Sequence, residues 1–204
     1  MFEKISIVIP VHKNENQLAR LLSDLDGVKD KVEIITSSEG TRAKSLNKGA
    51  AQATREFLWF LHADSRITKD NLTALSASLR ADEEALHYFD LAFDAPGLPT
   101  LNAWGANMRS RLFGTPYGDQ GFCISKKQFD HIGGYPQDVA YGEDLMFVWK
   151  ARQAGFKLSR IPSKLLTSAR KYSQQGWLKL TLLYQWRWIG MSIPEAVKLI
   201  RGRA

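Results

Sequence analysis

Residues 4–11 read KISIVIPV, and residues 14–25, close behind, read NENQLARLLSDL. The first is a β-branched run closed by a proline and a polar cluster, the pattern of a buried strand. In the second, Leu18, Leu21, Leu22 and Leu25 fall at i, i+3, i+4 and i+7, one stripe of a helix. The alternation continues downstream. Val32 to Thr36 reads as a second strand, and the Ala-rich residues 42–54 (RAKSLNKGAAQAT) as a helix. EFLWFL at 56–61 reads as a third, apolar strand, and Thr68 caps a helix carrying Leu72, Leu75 and Leu79. Strand, helix, strand, helix predicts an α/β fold: a doubly wound, mostly parallel sheet. Such sheets bind ligands in the crevice outside the carboxyl ends of their strands, which draws attention to the residues just after each strand.

The second half is less regular. Alternation at His87, Phe89, Leu91 and Phe93 predicts a strand over 86–94, and residues 99–113 read as a helix before the Gly-rich turn Gly114–Gly121. Short strands are expected at Gly121–Ser125 and Phe156–Ile161, with a helix over 143–154 between them. From Gly176 the chain is aromatic, basic and helix-compatible. No repeat, low-complexity tract or linker divides it, so one domain is expected over 1–204: residues 1–95, 96–170 and a helical segment 171–204.

Composition narrows the function classes. A single cysteine, Cys123, leaves no disulfide framework and no Cys-rich zinc site, and in its apolar strand it reads as a buried, inert thiol. No signal-peptide pattern and no run of 18 apolar residues is present, so the expected location is cytoplasmic. With 28 Lys and Arg against 21 Asp and Glu, the net charge of +7 suits anionic partners: nucleotides, phosphorylated lipids or acidic membrane surfaces. No nucleic-acid recognition motif accompanies that charge. His87 and His131 have no acidic neighbours at ligand spacing and read as structural or surface residues.

Two acidic sites stand where such a sheet places ligands. Asp64 follows the third strand in Leu61-His62-Ala63-Asp64-Ser65, two positions after His62. A carboxylate and an imidazole together suit Mg2+ or Mn2+, although an aspartate there can also simply cap a turn. Glu143 and Asp144 follow Gly142 and open a helix bearing Leu145, Val148 and Trp149. Their place in a first helical turn is favoured by the helix dipole, and it also offers a general base.

Taken in order, IVIPVHKNE, RAKSLNKGA, PYGDQGF, FDHIGGYP, GYPQDVAYGEDLMFVWKARQAG and TSARKY resemble the family 2 glycosyltransferases over roughly residues 4–170. The later segments look closest to a small-transferase subgroup found beside radical-SAM and selenium-related proteins. The resemblance implies a GT-A fold, a nucleotide-sugar donor, a divalent metal and an inverting displacement. By it, His62-Ala63-Asp64 matches an Asp-x-Asp metal motif whose first Asp is replaced by His. Asp144 or Glu143 matches the catalytic base, with Asp144 preferred. Pro10 and His12 match the loop touching the nucleobase, Arg42 and Asn47 the stretch along the nucleotide, and Asp119 and Gln120 a loop near donor sugar and acceptor. Arg170 and Lys171 are placed to contact the leaving diphosphate. The resemblance leaves a non-catalytic nucleotide-binding module of the same fold as its alternative.

Three departures from the family pattern stand out besides these matches. An acidic residue expected after the strand-one proline falls on Asn14, with Glu15 one step later. The second strand runs into Ser37 and Ser38 rather than an Asp, leaving Glu39 as the substitute for reading the base. The third is His62 itself. In the tail, Trp177, Trp186 and Trp188 stand among Lys179 and Arg187. The expectation is a closing helix whose apolar side is core; the rival is a helix lying on a membrane where the acceptor is lipid-linked.

Overall fold

A computed structural model describes residues 1–12, 15–170 and 176–202. Asn14 and Lys171 lie outside the described residues. Six strands form one sheet in the order β2-β1-β3-β5-β4-β6. They are β1 (Ile5–Pro10), β2 (Glu33–Ser37), β3 (Phe57–Phe60), β4 (Leu86–Phe93), β5 (Cys123–Ser125) and β6 (Leu158–Thr167). β1 pairs in parallel with β2 and β3, and β4 with β6; only the three-residue β5 runs antiparallel to its neighbours. The architecture is therefore α/β with a mostly parallel sheet, as expected.

Side-chain alternation sorts the core onto the two faces of the sheet. Ile5, Ile7, Ile9, Trp59 and Phe89 face α1 (Leu18–Asp24) and α3 (Lys69–Ala81), which bring Leu21, Leu72, Leu75 and Leu79. Val8, Leu58, Phe60 and Phe122 face α2 (Arg42–Gln52), α5 (Lys126–His131) and α6 (Glu143–Gln153), which bring Leu46, Phe129 and Phe147. Two remaining helices, α4 (Leu98–Phe113) and α7 (Trp177–Arg201), stand side by side: Asn102 Nδ2 donates to Thr181 Oγ1 at 3.0 Å, and Trp177 Nε1 to the Leu98 carbonyl at 3.1 Å.

Thr68 caps α3 as its sequence predicts. Its hydroxyl accepts from Asn71 N at 3.2 Å while Asn71 Oδ1 accepts from Thr68 N at 2.9 Å. Two expectations need correcting. β6 runs on to Thr167 rather than ending at Ile161, because the register jumps from Phe89–Ile161 to Asp90–Lys164 and pairing resumes. Pro162, with no N–H to give, sits in that irregularity. The second correction concerns α7. It buries Leu180, Ser192 and Glu195 and leaves Leu178, Leu182, Trp186, Ile189, Ile193, Val197 and Ile200 exposed. The domain meets it with polar and apolar partners: Gln153 Nε2 donates to Glu195 Oε2 at 2.7 Å, and the Trp188 ring lies 5.4 Å from that of Phe113.

His87 is a structural histidine, as its sequence context suggests. It is fully buried, its Nε2–H donates to the Asp82 carbonyl at 2.7 Å, and Nδ1 accepts from Ser78 Oγ at 2.9 Å. Burial, partly offset by that carbonyl, holds its pKa below the ordinary 6.5. A depressed folded value means the unfolded chain takes up the proton first as pH falls. Stability should therefore be full above pH about 6.5 and decline below it, by at most about 1.4 kcal/mol per pH unit for one proton. Urea unfolding of His87→Phe should show a flatter dependence in that window; an unchanged slope would assign the loss to another group.

Candidate active site

A cavity of about 690 Å3 opens at the carboxyl end of the sheet. His12 lines it just past β1, His62 and Asp64 just past β3, Phe93 at the end of β4, and Thr167 and Ser168 at the end of β6. The prolongation of β6 beyond Pro162 is what brings those last two residues in. α4 and α7 supply the opposite wall through Trp104, Arg109, Tyr184 and Arg187.

The charged corner is assembled from two helix starts and two turns. Thr41 Oγ1 accepts from Lys44 N at 3.3 Å, capping α2 and setting Arg42 in its first turn. Gly142, at φ 74°, is the N-cap of α6, so Glu143 and Asp144 occupy that helix's first turn. Arg42 joins the two: Nε donates to Glu143 Oε1 at 2.5 Å and Nη2 to Asp144 Oδ2 at 3.4 Å, while Nη1 reaches His62 Nε2 at 3.3 Å. Asp144 Oδ2 also accepts from Gly118 N at 2.9 Å, and Oδ1 from Leu145 N at 2.9 Å. A Cβ on Gly118 would stand 3.1 Å from His62 Nε2 and 3.2 Å from Asp144 Oδ2, so glycine permits this close approach.

Electrostatics follow from the geometry. Burial opposes ionisation of Asp144, but the Arg42 charge and the Gly118 and Leu145 N–H groups outweigh it and hold the carboxyl below its usual range. Burial likewise opposes the charge on Arg42, and Asp144 with Glu143 overcomes it, raising its pKa. Asp119 goes the other way. Burial and the neighbouring Asp144 charge push it up to about 6, against the pull of Arg109 and Arg42. Asp119 Oδ1 and Arg109 Nη2 are both buried with no hydrogen-bond partner among the described residues. An acceptor and a donor left unpaired on one cavity wall are the groups a polar ligand satisfies.

The structure brings together His12, Arg42, His62, Asp64, Asp119, Glu143 and Asp144 around this cavity. It does not bring Pro10, Glu15, Glu39, Asn47, Gln120 or Arg170 to its wall. Glu15 Oε1 accepts from Gln17 N, and Glu39 pairs with Lys48 on the surface. Asn47 clamps both backbone groups of Tyr135 at 2.8 and 2.9 Å. Gln120 is fully buried between Ser110, Tyr117 and the Phe89 carbonyl. Side chains that complete their hydrogen bonds inside the fold cannot also turn toward a ligand without breaking them.

The sequence model described as glycosyl transferase family 2 matches residues 25–128. The chain belongs to this family. The matched stretch carries Asp64 and Asp119 and stops short of Glu143 and Asp144. Among solved structures, the chain is similar to S. aureus TarS 1–349, with a TM-score of 0.62, 16% identity, and coverage of 81% of this chain and 60% of that one. It is similar to the same fragment in complex with UDP-GlcNAc, at TM-score 0.62 and 17% identity, covering 81% of this chain and 58% of that one. The chain thus spans about three-fifths of the length of that TarS fragment. No curated protein matches it in sequence.

Family 2 membership raises the question of a divalent cation. No three His, Cys, Asp or Glu side chains are grouped to hold one among the described residues. A Mg2+ or Mn2+ ion that arrives with a diphosphate asks for less: one or two carboxylates, the other ligands being phosphate and water oxygens. Asp64 on the cavity wall, with the unpartnered Oδ1 of Asp119 within range of its charge, fits that smaller demand. His62 Nε2 does not fit it, because a cation there would stand against the Arg42 guanidinium.

Arg109 is the site residue that sequence reading misses. Its guanidinium lies 3.8 Å over the Tyr117 ring and its Nε donates to the Thr115 carbonyl. The stretch AWGANMRSRLF holds both Arg109 and Arg111, and only packing separates them: Arg109 is buried while Arg111 pairs with Asp90 nearer the surface.

Proposed function

We propose that the protein is an inverting, hexosyltransferase-like enzyme that moves a sugar from a nucleoside diphosphate to an acceptor hydroxyl. The observation that carries this reading is the convergence of Asp64, Arg42, Glu143 and Asp144 on one cavity at the strand ends. Asp64, with Asp119 beside it, would hold Mg2+ or Mn2+, which when bound supplies Lewis-acid stabilisation to the departing diphosphate. Arg42 keeps Asp144 ionised and in place, and Asp144 takes the acceptor's proton as the hydroxyl attacks the anomeric carbon. A single displacement inverts that carbon. Residues 1–95 form the donor half, residues 96–170 the acceptor half and residues 171–204 an appendage that carries α7. The apolar wall of Leu101, Trp104 and Tyr184 supports a lipid-linked acceptor. The PYGDQGF, FDHIGGYP and TSARKY segments support the small-transferase subgroup named above, and the cytoplasm is its proposed location. Because the similar TarS fragment is solved with UDP-GlcNAc and with UDP, uridine donors are the first to try.

The test is a thermal-shift screen of UDP, GDP, TDP and CDP, each with and without Mn2+. One diphosphate should stabilise the protein in a metal-dependent way, by about 2.7 kcal/mol at a hundredfold excess over its Kd. Asp64→Ala should abolish the metal dependence. Stabilisation by a diphosphate without donor hydrolysis or transfer would point instead to a non-catalytic binding module, a reading favoured by the three hydrogen bonds Asp144 already accepts.

A further inference from the structure

The outer face of α7 has no role in the cavity chemistry. Leu178, Leu182, Trp186, Ile189, Ile193, Val197 and Ile200 recur every three or four residues along the whole helix, opposite the side that buries Leu180 and Glu195. Trp186 is 77% exposed and Ile200 70%. The inner side sets Leu180, Trp188 and Met191 toward the domain, so this second apolar stripe is left turned to solvent. On α4, packed beside it, Leu98, Leu112 and Phe113 are exposed too, apart from Leu101 and Trp104, which line the cavity. Contiguous exposure on this scale marks an interaction surface.

Charge selects the occupant. Neither helix carries an exposed acidic residue: α4 has none, and the one acid of α7, Glu195, is buried against Gln153 and Lys198. Lys179 and Arg201 are exposed on α7, as is Lys198, which pairs with Glu195, while Arg187 turns to the cavity over the Tyr141 ring. A second copy of the chain would set basic flank against basic flank with no acid between them, which opposes a symmetric dimer. An anionic lipid surface matches both the stripe and its flanks. Tryptophan at the edge of an apolar face suits the headgroup boundary, where one side of the ring is apolar and the other wet. No helix among the described residues is long and apolar enough to cross a membrane, so α7 would lie in the interface plane, covering roughly 37 Å.

We propose that the exposed face of α7, extended by α4, docks the protein on anionic phospholipid bilayers. The inference does not rest on the transferase reading, because vesicle binding is read without donor or acceptor.

The experiment is co-sedimentation with phosphatidylcholine vesicles and with vesicles that also contain phosphatidylglycerol. The protein should pellet with the second and only weakly with the first, and added salt should release it. Leu182→Glu and Ile193→Glu, both at exposed positions, should keep the wild-type melting temperature and each weaken vesicle affinity about tenfold or more. Lys179→Glu should weaken it several-fold on the anionic vesicles alone. Equal failure on both vesicle types would overturn the proposal. So would a stable dimer by sedimentation equilibrium that Trp186→Glu dissociates, since a second copy would then cover the face.

Discussion

Replacing Asp144 with asparagine should lower kcat for sugar transfer by about 10²- to 10⁴-fold, the usual contribution of a general base, while donor affinity stays within a few-fold. The wild-type carboxylate accepts from Gly118 N, Leu145 N and Arg42, three of its roughly four acceptor positions, which leaves one for an acceptor hydroxyl. Asparagine keeps the shape and one acceptor oxygen, so Leu145 N remains paired. Its amide then faces both Gly118 N and Arg42, which donate to Oδ2 in the wild type, donor against donor, at a stability cost of about 1–3 kcal/mol. Donor binding depends on Asp64 and the far wall and should persist. Comparing initial rates with donor-induced thermal shifts separates the two effects. If Glu143→Gln proves inert and Asp144→Asn retains full activity, the assignment of the base moves to Glu143.

Arg42→Ala should be the most destabilising single change at the site. Arg42 is the cation between Glu143 and Asp144, whose side chains are only 13% and 12% exposed. Truncating one member of a buried ionic cluster strands the others, at about 3–5 kcal/mol; the 30% exposure of Arg42 places this case near the lower end. The pH dependence should change sign as well. In the wild type the depressed Asp144 carboxyl contributes stability above its unfolded value near 3.9, lost as pH falls through its folded value. Without Arg42, burial dominates and lifts the folded value, so stability should fall as pH rises from about 4 toward neutrality. Urea unfolding of the variant at about pH 5 and about pH 7 checks this. Equal stability to wild type at both would show that water, not Arg42, solvates the pair.

The first half of the chain was legible because its elements announce themselves by period. The leucines of α1, the β-branched run of β1 and the Thr68 cap all lie where sequence places them. Sequence pattern carries β6 only to Ile161, next to Pro162, whereas the sheet absorbs that proline as an irregularity and resumes. At the site, Arg42, Asp64 and Asp144 were each readable from local context. Their union was not, since Arg42 and Glu143 lie 101 residues apart and nothing local records that they touch. Asn47 shares a helix with Arg42 but sits over a turn further on, where the nearest polar groups are those of Tyr135. For α7 the sequence carried apolar residues on more than one side, among them Leu180, Trp188 and Met191 as well as the outer stripe. Only packing could say which side the domain would take.

Gly142 gives the proposed base a second neighbour. A Cβ at that position would lie 2.3 Å from Met191 Cε, so the N-cap of α6 rests directly on α7. The turn that aims Asp144 and the helix that bears the exposed stripe therefore share one contact. A shift of α7 toward a bilayer would be felt at Asp144 through Met191 and Gly142, both on the cavity wall. Turnover should then scale with the lipid area offered rather than with bulk acceptor concentration, the behaviour of interfacial enzymes.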